Sequence, residues 1–328
     1  MNPAPEPTAA GTQPAPIRLS VIVPSYNSGH VIGACLRSLA PWADDPQVEI
    51  LVVDSSTDGT ETYIRAAFPW VRLHHLPQRT FPGPARNRGA ALARGALLAF
   101  TDADCVVARD WVPAILAVFD RHPAEAACVG RIGNHNPGNL IGWVSFLTEF
   151  NDYLGRQRRR PVRALPTFCA VFRRDVFERY GGFPAEVAWL EDMILCARLL
   201  AGGERLFMEP SLRVRHHNRG ALRAFLHHQF RLGQFFAHSR YAADLPGARA
   251  LRRTAGAIPL LAAWRAARAY QRTLCTAPGA FLILLALTPL YLAGCVAWMR
   301  GARLGRRECL APPALTKEAP PSSLPQKS

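Results

Sequence analysis

Residues 97–104 read Leu-Leu-Ala-Phe-Thr-Asp-Ala-Asp. The first five form a short apolar run of the kind that makes a buried strand, and two carboxylates follow at once. Working outward, residues 19–24 (LSVIVP) and 48–53 (VEILVV) are two further buried strands. The second ends at Asp54. Residues 71–76 form a weaker strand. Helical patterns fall between them, at 31–39, 60–68 and 84–94, with Gly95 as the expected residue just past the third helix. Strand and helix alternate in this way from residue 19 to about 120. Such alternation predicts an α/β fold, a mainly parallel sheet flanked by helices. Ligands of such sheets sit beyond the carboxyl ends of the strands, where strand order reverses. Ser25, Tyr26, Asn27, Asp54 and Asp102 are therefore expected to converge on one crevice.

The second half is less regular. Residues 165–172, 205–208 and 212–215 read as strands, and His216-His217 follow the last. Glu191-Asp192 open a helix running to about 200, and another helix covers 220–241.

Two carboxylates on the tight turn Asp102-Ala103-Asp104 can offer oxygens to one hard divalent cation. Mg²⁺ and Mn²⁺ take oxygen ligands and bind substrate phosphates at the same time. A solvated acidic turn has the same composition, and only its place after a buried strand favours the metal. Asp54 can accept from a ribose or a base, or close an Asx turn; Asp58 reads as a helix cap. Arg86 and Asn87, in Gly-Pro-Ala-Arg-Asn-Arg-Gly, lie in the first turns of a helix, where an arginine can meet a diphosphate or solvent.

Four stretches occur in order: Ser20-Val-Ile-Val-Pro-Ser-Tyr-Asn27, Val52-Val-Asp-Ser-Ser-Thr-Asp-Gly-Thr60, Ala85-Arg-Asn-Arg-Gly89 and Thr101-Asp-Ala-Asp104. Over residues 18–220 the chain resembles the family-2 glycosyltransferases of the membrane-associated bacterial type. The resemblance implies a GT-A fold, a nucleotide-diphosphate sugar donor, a Mg²⁺ or Mn²⁺ cofactor and an inverting transfer to an acceptor hydroxyl. It implies that Pro24, Tyr26 and Asn27 line the nucleotide pocket. Asp54 would meet the base, Arg86 the diphosphate and Asp102 the ribose. Asp104 would bind the metal and Asp192 would be the general base. His216 resembles a family histidine near the metal, with His217 as the competing choice, because neighbours on a strand point to opposite faces.

The formal charge is +15 over 328 residues, which attracts anionic partners without choosing among them. Two other readings compete. A sugar nucleotidyltransferase would want a Gly-rich basic loop after the first strand, where this chain has Ser-Tyr-Asn-Ser-Gly-His. A non-catalytic binder of membrane surfaces or nucleic acid would leave the strand-end acids without a purpose. Neither accounts for the four ordered stretches, so no nucleic-acid partner is expected.

The eight cysteines are scattered, with no CxxC pair, as suits a reducing cytoplasm. Residues 1–16 and 311–328 have a composition that cannot offset the entropy of ordering, and no secretory signal is present. Residues 17–245 form the expected transferase domain and 246–310 a membrane-associated helical region. Within it, residues 280–299 carry no charge, and as one helix would span about 30 Å, the depth of a bilayer core. Pro289 predicts a kink or a re-entrant hairpin, and Tyr291 and Trp298 suit the membrane interface. Residues 249–272, with six arginines, suit a helix lying in the headgroup plane. These features place the chain at the cytoplasmic face of the cell's inner membrane, with a lipid or cell-envelope glycan as the acceptor class to test.

Overall fold

The computed structural model describes residues 16–185, 187, 190–243 and 248–310. The terminal stretches 1–15 and 311–328, and the expected domain boundary at 245/246, lie outside them. The elements run β1 Leu19–Ser25, α1 Ile32–Leu39, β2 Val48–Asp54, α2 Thr60–Ala67, β3 Arg72–His75, α3 Pro82–Leu92, β4 Leu97–Phe100, β5 Cys105–Val107, α4 Trp111–Arg121 and β6 Ala127–Asn134. They continue with α5 Leu140–Glu149, β7 Arg160–Val162, β8 Ala170–Arg173, α6 Arg174–Arg179, α7 Glu191–Ala201, β9 Leu206–His216, α8 Leu222–Ala243, α9 Ala248–Arg253, α10 Ala257–Thr276, α11 Pro278–Ala286 and α12 Thr288–Leu310.

The strands form one sheet in the order β3-β2-β1-β4-β8-β6-β9-β5, with β7 also on β9. β3, β2, β1 and β4 are parallel, as the alternation predicts. Beyond β4 the sheet is mixed: β8 runs antiparallel to both β4 and β6, while β6 and β9 are parallel. β1 is buried along its whole length, as a β-branched run with helices on both faces must be. Strand order reverses at β1, with β2 on one side and β4 on the other. The crevice therefore opens beyond Ser25 and Phe100.

Three local expectations change. The third helix starts at Pro82 and ends at Leu92. Gly95 is not its C-terminal turn residue; it lies against β1, where a Cβ would come 2.6 Å from the Ser20 nitrogen. The strands expected at 205–208 and 212–215 are one continuous strand, β9. Its pairing with β6 slips between those two stretches: the partner of Val129 is Met208 and that of Arg131 is Arg213, so the surplus residues lie on β9. The strand read at 165–172 is confined to β8.

The packing that matters most for the crevice is a cluster of rings. Phe100, at the end of β4, lies 5.2 Å from Phe183 and 5.4 Å from Phe177. Phe172 of β8 closes the group. These buried rings anchor the Gly181-Gly182 turn that precedes α7.

The region after α8 departs most from expectation. Residues 280–299 are not one helix. The chain breaks at Leu287, and α11 and α12 meet at a 78° bend. Among the described residues no single helix is long and apolar enough to cross a membrane, and only this bent pair passes such a test together. Tyr291 and Trp298 are buried rather than set at an interface. Tyr291 packs on Tyr270 of α10, and Trp298 on Phe236 of α8. The reason is a close crossing of α8 and α12. A Cβ on Gly301 would collide with the Phe230 carbonyl, and one on Gly305 with the Gln234 carbonyl. Glycine at these places lets the two helix backbones touch.

Candidate active site

A cleft of about 830 Å³ opens at the carboxyl ends of β1 and β4. Its floor carries Asp102 and Asp104; one wall carries Pro24, Tyr26 and Asn27; α7 brings Glu191 and Asp192; the end of β9 brings His216. Residues from opposite ends of the chain thus meet because β9 enters the sheet beside β6 and pairs with β5 at its edge.

The Asp104 and His216 side chains face each other, Oδ2 to Nε2, at 3.3 Å. β5 pairs antiparallel with β9 and sets Cys105 opposite His216, which fixes this approach. The other ring nitrogen of His216, Nδ1, lies 2.9 Å from Asn218 Oδ1. Burial alone would lower the His216 pKa, but the Asp104 carboxylate lifts it to about 9. The same pair holds Asp104 below the usual carboxylate range although burial opposes ionisation. His217 donates its backbone N–H to the Asp104 carbonyl instead, and its ring lies near His135. Strand alternation selects His216.

Ligand atoms of Asp104, Cys105 and His216 all lie within 4.8 Å of one another. The Cys105 thiol is fully buried and its pKa is pushed well above the normal value, first by burial and then by the two aspartates, so it stays protonated. That leaves the Asp104 carboxylate, open to the cleft, and the His216 ring, which is protonated beside Asp104 and has to give up that proton to a cation that takes its place. Such an O/N pair fits a divalent cation that completes its shell with water and phosphate oxygens.

Asp192 goes the other way. Burial raises its pKa, the neighbouring Glu191 carboxylate raises it further and Arg86 pulls it back, leaving it at about 7. Leu190, just before it, has φ 62°, a left-handed conformation that a branched side chain rarely adopts. Its carbonyl still accepts from the Ile194 N–H, so the turn is locked as α7 begins.

Arg86 is placed differently from the sequence expectation. It is buried, with Nη1 donating to Glu191 at 2.6 Å and Nη2 donating to Asp102 at 2.6 Å. The guanidinium ties the acidic turn to the start of α7 rather than standing open for a diphosphate. Asn87 extends the tie: its amide donates to the Phe183 carbonyl at 2.7 Å and its oxygen accepts from the Phe183 N–H at 3.0 Å. Asp54 is likewise engaged. Fully buried, its carboxylate accepts from the Ser56 N–H and hydroxyl and meets His75 Nδ1 at 2.9 Å. This is the Asx-turn geometry, and Asp54 lies behind the residues that line the cleft. Asn27 joins the two loops, accepting from the Thr57 N–H and donating its own N–H to Ser56.

Two features escaped sequence reasoning. Arg79 lies over the Tyr26 ring at 4.7 Å and beside Phe81, making a cationic and aromatic lip on the Tyr26 side of the cleft. Its signal was weak, one arginine in the loop before α3. On the opposite side, Glu149 of α5 meets His228 Nε2 of α8 at 3.1 Å, with Arg219 nearby. These neighbours hold the buried Glu149 carboxylate down at about 2, against the effect of burial. No spacing connects positions 149, 219 and 228.

Residues 20–181 match the family described as Glycosyl transferase family 2. That stretch is a family-2 glycosyltransferase domain. Over 218 residues the chain is 29% identical to the pre-mycofactocin glycosyltransferase of Mycobacterium tuberculosis, covering 63% of this chain and 44% of that protein. It is 31% identical over 220 residues to the succinoglycan biosynthesis protein ExoO of Rhizobium meliloti, covering 61% of each. The matched stretch thus spans about half the length of these curated relatives. A mannosyltransferase of Pyrobaculum calidifontis, in complex with GDP-Man and Mn²⁺, has the same fold at a TM-score of 0.54 and 22% identity, over 92% of this chain and 90% of that one. The glycosyltransferase domain therefore has the GT-A architecture that the four ordered stretches implied.

Proposed function

We propose that this chain transfers a glycosyl group, with inversion, from a nucleotide-diphosphate sugar to an acceptor hydroxyl. The observation that carries the reading is the pairing of opposites in one cleft: Asp192 with a carboxyl pushed to about 7, and the ionised Asp104 beside His216. Asp192 takes the proton of the acceptor hydroxyl as its oxygen bonds to the anomeric carbon and the bond from that carbon to the diphosphate oxygen breaks. A base with pKa near 7 is half ionised at neutral pH and strong enough to accept that proton. Tyr26, Asn27 and Arg79 hold the nucleotide side, and Asp102 the ribose. Asp54 shapes this side from behind through Ser56. Arg86 orients Glu191 and Asp102.

Asp104 and His216 would hold a divalent metal, and the mixed oxygen and nitrogen donors favour Mn²⁺ over Mg²⁺. When bound, it neutralises charge developing on the departing diphosphate. The names of similar proteins, a succinoglycan biosynthesis protein and an O-antigen chain rhamnosyltransferase, support a cell-envelope glycan or its lipid-linked precursor as acceptor.

The test is calorimetric binding and hydrolysis of a panel of UDP-, GDP- and dTDP-sugars with Mn²⁺, Mg²⁺ or EDTA. The expected result is metal-dependent binding of one donor class, lost in Asp104→Ala. Absence of binding to every donor, with and without metal, overturns the reading.

A further inference from the structure

The last described helices expose a surface that the transferase chemistry does not use. Nine of the fourteen exposed large apolar side chains among the described residues lie on α10, α11 and α12. Leu260, Trp264 and Leu274 are exposed along one stripe of α10, and Leu260 and Trp264 are 73% and 61% accessible. On α11, Leu282, at 67%, and Leu285 are exposed as well. On α12, Leu292 and Val296 are exposed, followed at the same helical spacing by Arg300, Arg303 and Arg307, all exposed. Their spacing of three and four residues keeps them on one helix face. Within residues 248–310 there are ten arginines and one acid, Glu308.

The other face of α12 is fully occupied. Gly294, Gly301 and Gly305 pack on α8. α10 is tied to the transferase domain, where Arg268 and Arg272 both meet Asp152. The uncharged part of α12, residues 288–299, would reach only about 18 Å, well short of a bilayer core of about 30 Å. A helix buried on one side by protein, bent by 78° from its neighbour and with an uncharged part too short to span, has an outer face suited to lying in a membrane surface.

We propose that the outer face of α10–α12 docks in the plane of an anionic lipid surface, with apolar side chains in the acyl boundary and the arginines at the phosphates. Charge selects this occupant. An exposed apolar patch bordered by arginines, with a single acid in the region, complements anionic headgroups and repels a second copy of itself. α12 then lies between the lipid and α8, whose His228 and Leu232 line the cleft. The surface is the cytoplasmic one, where the eight free thiols stay reduced. The proposal does not depend on the transfer reaction, because its readout is lipid partition.

The test uses the full chain and sedimentation with vesicles of phosphatidylcholine alone or with about a third phosphatidylglycerol. Binding to the anionic vesicles, weakened by salt, is expected. Leu282→Asp/Leu285→Asp is expected to abolish it while leaving Tm and donor binding unchanged. Arg300→Gln/Arg303→Gln/Arg307→Gln is expected to lower partition roughly fivefold per arginine. In native membranes, alkaline carbonate is expected to release the protein. Four results each overturn the proposal: no partition into anionic vesicles, equal partition into neutral ones, resistance to carbonate, or a dimer in solution that Leu282→Asp/Leu285→Asp splits.

Discussion

Asp104 and Asp192 line the same cleft and are both drawn away from water, yet they are driven in opposite directions. Asp104 faces His216 and stays ionised; Asp192 sits beside Glu191 and is raised to about 7. Burial pushes both upward, so burial does not separate them. The sign of the nearest charge does. Two carboxylates with pKa values driven apart suit the proposed division of labour, one to hold positive charge and one to move a proton.

The most severe way to break the comparison is to remove the proton acceptor. Asp192→Asn is expected to lower kcat by about 10²–10⁴ while donor affinity by calorimetry stays within a few-fold. The same variant reports on stability. The folded pKa of Asp192 lies above its unfolded value, so ionisation opposes folding, and the native state loses stability as pH rises from the ordinary carboxylate range up to about 7, with the loss complete above it. Asp192→Asn is therefore expected to melt above the wild type at pH 8 and with it near pH 4. Equal Tm values at both pH values would refute the raised pKa.

Next in size is Arg86→Met. It leaves Glu191 and Asp102 without their shared cation in a buried site, and is expected to cost about 3–5 kcal/mol by urea unfolding. A loss under 1 kcal/mol would mean that the tie is ornamental. On the Asp104 side, Asn218→Ala frees His216 Nδ1, and metal affinity by titration calorimetry is expected to fall about 10–100-fold. The smallest effect is the most discriminating. Glu191→Gln removes the like charge beside Asp192, so the midpoint of the pH–rate profile is expected to move below 7. An unmoved midpoint would assign the raised pKa to burial alone.

Much of this site was legible. β1, β2 and β4 are near-continuous apolar runs, interrupted by Ser20 and Glu49, which bond each other, and a parallel strand buried on both faces leaves little else for its sequence to be. The polar residues that end them, Tyr26, Asn27 and Asp102, are at the cleft because chain direction puts every parallel strand's carboxyl end at one edge. What escaped were partners set by long-range packing. Arg86 read equally well as a diphosphate ligand, since nothing local shows that Glu191, more than a hundred residues on, claims its guanidinium. Asp54 carried two readings in sequence, and the loop geometry of Ser56 together with β3 pairing, which brings His75 alongside, turned its carboxylate inward. The uncharged run at 280–299 looked like one span because hydropathy counts residues and not neighbours. The glycines that let α12 press on α8 gave it a protein-facing side, and the bend at Leu287 falls next to Pro289, where the sequence predicted a kink.

The sequence alone determined β1 to β4, the acids that end β2 and follow β4, and the family to which residues 20–181 belong, because those follow from local periodicity and short ordered motifs; β5, β6 and β7 were not read from it. Tertiary structure alone decided which nitrogen meets which oxygen. An ion pair depends on where two distant side chains are carried by the sheet, and a pKa depends on the charge that arrives beside it. Thus Asp104 is held ionised beside His216 and Asp192 is raised to about 7, although along the chain each is simply an acidic residue beside or near another.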